Sequence, residues 1–190
     1  ELFINPKDKI LITSPSFAMY DIYCRIYGAQ THKLYYQQSS NGPIIEFENI
    51  LKTLIQIKPK MFCLPNPDSP TGNILSYDQI MEIINLCNKE NIILLIDEAY
   101  YPFYPHTFSN KIGSFKNLII ARTFSKAWGL AGLRTGYLIG HPEIIKYFHK
   151  IKPMYEIGTY STAFIEKMLD HSEKMTLSIQ NIIDGKIFFL

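Results

Sequence analysis

The chain has 190 residues, enough for one sizeable core, and its 47% hydrophobic and 19% charged side chains are the composition of a globular domain. A formal net charge of +2 leaves no electrostatic footprint for nucleic acid, and no apolar run reaches the roughly 18 residues that a membrane span requires. Three cysteines, Cys24, Cys63 and Cys87, lie in apolar stretches without metal-ligand spacing, so they read as small core residues of a protein in a reducing cytoplasm, with no metal site.

In chain order, Glu1-Leu-Phe-Ile4 reads as the tail of a helix. An apolar run at 9–13 predicts a strand, which Ser14-Pro-Ser-Phe17 breaks. Residues 18–27 carry apolar side chains at helical spacing (Met19, Ile22, Tyr23, Ile26) and stop at Gly28. A strand over 30–35, a polar loop over 37–42 and an amphipathic helix over 47–57 follow, the helix faced by Phe47, Ile50, Leu51 and Leu54 and ended by Pro59. Residues 61–64 predict a buried strand that runs into a loop over 65–73, where proline, aspartate and glycine density forces turns. Ser76-Tyr-Asp-Gln79 matches a capping box and opens a helix faced by Ile80, Ile83, Ile84 and Cys87. Residues 91–96 are continuously apolar, which predicts a strand covered on both faces. An aromatic, proline-broken loop then leads to strands at 118–121 and 137–140. Pro142 opens a helix faced by Ile144, Ile145 and Phe148, and a further helix over 161–169 follows Pro153. The closing Ile187-Phe-Phe-Leu190 reads as a strand-like apolar run. Both ends read as cut, so the chain is expected to be part of a longer protein.

Strands alternating with helices predict an α/β fold, a three-layer, mostly parallel sheet with helices on both faces. Residues 1–152 read as a large domain, and 153–190 as a connecting helix and the start of a smaller one. Ligands of such sheets sit beyond the carboxyl ends of the strands, and the polar clusters fall there, at 14–17, 66–71, 97–100 and 123–126. Lys126 follows an apolar strand and the hydroxyls Thr123 and Ser125; forming an imine with an aldehyde is one use for an amine so placed. Short hydroxyl donors and the guanidinium fork of Arg134 suit a phosphate dianion. An aldehyde and a phosphate on one molecule describe pyridoxal 5'-phosphate (PLP). Asp97 follows a buried strand and needs a cationic partner, which a protonated pyridine nitrogen would be. Taken singly, Lys126 also reads as a surface lysine in a glycine-containing turn, Asp97 as a turn cap, Tyr100 as a packed aromatic and Phe17 as a core residue. Glu98 is expected to face solvent or an arginine.

Asp97-Glu-Ala-Tyr100, Ser125-Lys126 with Gly132-Leu-Arg134, and Asn66-Pro-Asp-Ser-Pro-Thr-Gly72 occur in this order and resemble the motifs of the fold-type I, class I/II aminotransferases, most of all their histidinol-phosphate aminotransferase branch. The resemblance implies that Lys126 is the Schiff-base lysine and proton carrier. It implies too that Asp97 pairs with the pyridine nitrogen and Tyr100 with the ring oxygen, that Thr123, Ser125 and Arg134 hold the phosphate, and that Phe17 stacks on the ring. Ser69 stands where that family usually has asparagine before Pro-Thr-Gly, placing a shorter hydroxyl near the ring oxygen. The activity implied is amino transfer between an amino acid or amino-phosphate and a 2-oxo acid, in a cytoplasmic homodimer, with this stretch alone inactive. A decarboxylase or lyase of the same fold and a non-catalytic PLP-binding domain are the alternatives.

Overall fold

The computed structural model describes residues 2–40, 42–104 and 106–189. Six strands form one sheet in the order β2-β1-β5-β6-β7-β8. These are β1 (Lys9–Ser14), β2 (Gln30–Tyr35), β5 (Met61–Pro65), β6 (Ile93–Asp97), β7 (Leu118–Thr123) and β8 (Gly136–Gly140). Every neighbouring pair runs parallel except β7 and β8, which pair antiparallel with Thr123 opposite Gly136. This agrees with the mostly parallel α/β sheet read from the strand–helix alternation.

Side chains alternate across the sheet, as the two-residue period of a strand demands. Leu11, Phe62, Leu64, Leu94, Ile96, Leu118 and Ile120 face one side, where α2 (Phe47–Ile57) and α3 (Tyr77–Lys89) cover them with Ile50, Leu54, Ile80, Ile83, Ile84 and Cys87. Ile10, Ile12, Met61 and Cys63 face the other side, packed against Cys24 and Tyr20 of α1 (Met19–Ile26). The two central strands β5 and β6 are therefore apolar up to Asp97 at the end of β6, and each fully buried aliphatic side chain contributes about 1.5–3 kcal/mol. The predicted capping box forms: Ser76 Oγ accepts from the Gln79 amide, and Gln79 Oε1 accepts from the Ser76 amide. All three cysteines are free and buried. Among the described residues, no helix is long and apolar enough to cross a membrane.

Four expectations are corrected. Residues 2–4 are irregular rather than helical, with the Phe3 ring set edge-on to Phe148 of α4 (Pro142–Ile151) at 5.4 Å; Glu1 lies outside the described residues. The polar loop over 37–42 is largely a hairpin of β3 (Gln37–Ser39) and β4 (Gly42–Ile44), with Gly42 at φ +100°; Pro43 is tolerated because a two-stranded ribbon is all edge. In α1 the packed line is Tyr20 and Cys24, whereas Ile22, Tyr23 and Ile26 are exposed. The closing apolar residues belong to α6 (Ser172–Phe189), not to a strand, Leu190 lying outside the described residues. A helix satisfies the hydrogen bonds of its own backbone. The helix predicted at 161–169 begins slightly earlier, as α5 (Thr159–Leu169).

Because β8 returns antiparallel, the connection 124–135 leaves and re-enters the sheet at its carboxyl edge and never crosses it. That return is tight: a Cβ on Gly136 would stand 2.6 Å from the Arg122 carbonyl oxygen. Gly136→Ala is expected to destabilise the chain by about 1–3 kcal/mol through forced separation of β7 and β8. Gly132→Ala, with open space around its Cβ, is expected to stay within about 0.5 kcal/mol; urea denaturation of both variants checks the difference.

Candidate active site

Strands β5, β6 and β7 deliver their carboxyl ends to one cleft of about 430 Å3. Phe17, Ser69, Asp97, Tyr100, Thr123, Ser125, Lys126 and Arg134 all line it, so every residue singled out in the sequence reaches the same space. They arrive from four separate chain segments, which a parallel sheet aligns because each strand ends on the same side.

Asp97 is the last residue of β6. Its Oδ1 accepts from the Ala99 amide at 2.9 Å, and its Oδ2 accepts from the Tyr20 hydroxyl. Among the described residues, no lysine, arginine or histidine forms an ion pair with it. Burial pushes its carboxyl above the ordinary 3.8, opposed by the Tyr20 and Ala99 hydrogen bonds and reinforced by the negative charges of Asp68 and Glu98. A carboxylate held in this way attracts a cation into the cleft.

The adjacent Glu98 has the opposite surroundings. It is buried, and the arginine alternative holds: Arg122 grips Oε2 through Nε at 3.0 Å and Nη2 at 2.8 Å. Thr107 Oγ1 and the Phe108 amide donate to the same carboxylate, and the guanidinium lies 3.7 Å from the Tyr101 ring centroid. Glu98 is thereby saturated and turned from the cleft, while Asp97 remains available.

The rim bearing Lys126 is shaped by Thr123, whose Oγ1 accepts from the Ser125 amide at 3.0 Å and closes the turn after β7. Gly129 (φ +67°) and Arg134 (φ +51°) occupy the left-handed region on the same connection. For arginine that conformation is uncommon and costs about 1 kcal/mol or more; here it swings the guanidinium over the cleft, with Nη1 donating to the Ala131 carbonyl at 3.2 Å. Lys126 Nζ stands 5.2 Å from the centroid of the Tyr100 ring. The Tyr100 hydroxyl reaches Ser69 Oγ at 3.3 Å, so the two groups meet at one place on the wall.

The sequence reading missed two features. Tyr20 was hidden because a tyrosine on an amphipathic helix reads as packing; its i, i+4 relation to Cys24 was the available signal. Asp68 is buried and accepts from Thr13 Oγ1 at 2.8 Å, Ser16 Oγ at 2.7 Å and the Tyr36 hydroxyl. Those donors come from two stretches of chain, 32 to 55 residues from Asp68, so nothing local announces the hub. Asn66 is occupied structurally, its Oδ1 accepting from the Leu75 amide.

A mostly parallel sheet with a cleft over its carboxyl ends, lined by an amine, a guanidinium and a carboxylate that pairs with no cation among the described residues, is the build of an α/β protein suited to a small charged ligand. More narrowly, the chain belongs to the class I and II aminotransferase family, whose profile matches residues 1–185. It is 39% identical over 167 residues to the histidinol-phosphate aminotransferase of Thermoanaerobacter sp. (strain X514), covering 88% of this chain and 46% of that protein. The chain thus spans about half the length of the curated relatives it matches. Among solved structures it resembles histidinol-phosphate aminotransferase from Sinorhizobium meliloti in complex with PLP, with a TM-score of 0.87 at 22% identity over 96% of this chain and 49% of that one. It also resembles the PLP-bound C–S lyase from Staphylococcus hominis, with a TM-score of 0.83 at 18% identity over 98% and 50%. At these identities the likeness is one of fold.

With ligand absent, the raised Asp97 carboxyl has a thermodynamic sign. Its favourable contribution to stability is complete below pH 3.8 and is lost as pH rises through the elevated folded value. Asp97→Asn removes that loss. In thermal unfolding of the ligand-free chain, the variant is expected to exceed the parent at pH 7 and to lose its advantage towards pH 4 and below. A pH-independent difference would contradict the assignment.

Proposed function

We propose that this chain is the cofactor-binding part of a PLP-dependent aminotransferase that moves an amino group between an amino acid or amino-phosphate and a 2-oxo acid. The observation that carries the reading is the Asp97 carboxylate, facing the cleft without a cation on the same space as Lys126 and Arg134. A ligand with a cationic ring nitrogen, a carbonyl and a phosphate complements all three. When bound, PLP supplies the aldehyde and the cationic ring that accepts electrons from the substrate's α-carbon.

The chain's residues divide the work. Lys126 Nζ would hold the cofactor through its aldehyde carbon and, as a free amine, would carry the proton to and from the substrate's α-carbon. Asp97 holds the ring nitrogen in its protonated, charged form. The Ser125 hydroxyl and the free edge of the Arg134 guanidinium grip the phosphate, with Thr123 fixing the turn between them. Phe17 closes one face of the ring, and Tyr100 with Ser69 donates to its oxygen. The serine hydroxyl stands beside the tyrosine hydroxyl, so the pair can share that task. Residues 153–190 lead from this domain towards a smaller one, and the working protein is a cytoplasmic homodimer. The name carried by the relative at 39% identity supports amino transfer over decarboxylation or elimination, with histidinol phosphate as the first donor to try.

Adding PLP to the protein that carries this chain is expected to raise a visible absorbance band beyond that of free cofactor, and Lys126→Ala is expected to remove it and to reduce transfer from histidinol phosphate to background. A band that survives the substitution would show that another amine is the anchor.

A further inference from the structure

Tyr20 has no part in the reading above, yet it makes the only side-chain hydrogen bond to Asp97 found among the described residues. It projects from α1, and its ring meets Phe17 edge-on at 5.6 Å. Burial, then the adjacent Asp97 charge, holds the phenol proton on well above its usual range, so the hydroxyl is a fixed donor at any ordinary pH. We propose that Tyr20 is a positioning residue for Asp97: its hydroxyl, clamping Oδ2 while the Ala99 amide clamps Oδ1, fixes the plane of the carboxylate and leaves its remaining lone pairs for a cation entering the cleft.

The geometry requires both clamps. A carboxylate at a strand end can rotate about its terminal torsion, which is broad and soft, and one backbone donor leaves that rotation open. The second donor, on the other oxygen, closes it. The donor also favours the ionised form, which the surroundings otherwise oppose. Cys63 of β5, Asp68 in the loop after β5, and Glu98 next along the chain are the other titratable groups that act on Asp97, and none is cationic. Lys126 and Arg134 line the same cleft, and among the described residues neither forms an ion pair with it. Tyr20 thus works with the Ala99 amide towards the ionised, oriented form of Asp97 before any ligand arrives. The inference rests on the cofactor reading only for the identity of the cation.

The test uses the carboxyl carbon resonance of Asp97, assigned by its loss in Asp97→Asn and titrated in the chain without cofactor. Tyr20→Phe keeps the ring and removes the donor, and the Asp97 midpoint is expected to move to higher pH. A ring-fluorinated tyrosine at position 20, a stronger donor of nearly the same shape, is expected to move it to lower pH, and reads the same bond should Tyr20→Phe not fold. In a second arm PLP is titrated and followed by Trp128 fluorescence. Tyr20→Phe is expected to weaken binding about tenfold with Asp97 present and by less than about twofold in the Asp97→Asn background. An Asp97 midpoint unmoved by either change overturns the proposal, as does equal weakening in both backgrounds, which is what a purely structural tyrosine would give. Failure of the parent chain to bind PLP would strike the cofactor reading, while the carboxyl titration would still decide the role of Tyr20.

Discussion

Asp97 brings a carboxyl group to the carboxyl end of a central strand, and among the described residues only neutral donors meet it. Removing a carboxylate from water without a counter-charge is unfavourable by several kcal/mol in the limit of full burial, so the arrangement persists because the rest of the fold is stable enough to bear it. The neighbouring Glu98 shows what the same sheet does with a carboxylate used for structure, binding it to Arg122 with two hydrogen bonds and a stacked tyrosine. Two consecutive acids therefore have opposite roles, set by which face of the strand end each one leaves.

The walls of the cleft depend on a third carboxylate. Asp68 is satisfied by three hydroxyls instead of a cation, drawn from the end of β1, the turn that follows it and the residue after β2. Through Asp68 the turn that bears Phe17 and the loop that bears Ser69 are tied to one point, and two walls of the cleft become a single unit. On the opposite side, the tight approach of Gly136 to β7 and the left-handed Arg134 keep the Lys126 rim at the carboxyl edge.

Much of this was legible in the sequence where local chemistry dictates local structure. The continuous apolar runs marked β5, β6 and β7 because strands covered on both faces have no polar positions. The capping box placed the start of α3 to the residue. Lys126, Asp97 and Arg134 could be singled out because charged groups beside apolar strands require a purpose. What escaped was long-range or patterned ambiguously. Tyr20 and Asp68 act through partners 77 and 32 to 55 residues away, and no periodicity encodes such pairs. The α1 face was mis-phased because that helix is apolar on more than one side, leaving Ile22, Tyr23 and Ile26 exposed. The closing apolar run was misread because composition alone does not separate a short strand from the end of a helix.

The account stands on a single orientation, with the ring nitrogen of the ligand at Asp97 and its phosphate at the Ser125–Arg134 rim. A crystal structure of the chain with PLP bound measures it directly. The nitrogen is expected at about 2.7–3.2 Å from an Asp97 carboxylate oxygen, with the phosphate against Ser125 and Arg134. A cofactor seated in reverse, or bound away from Asp97, would contradict the account.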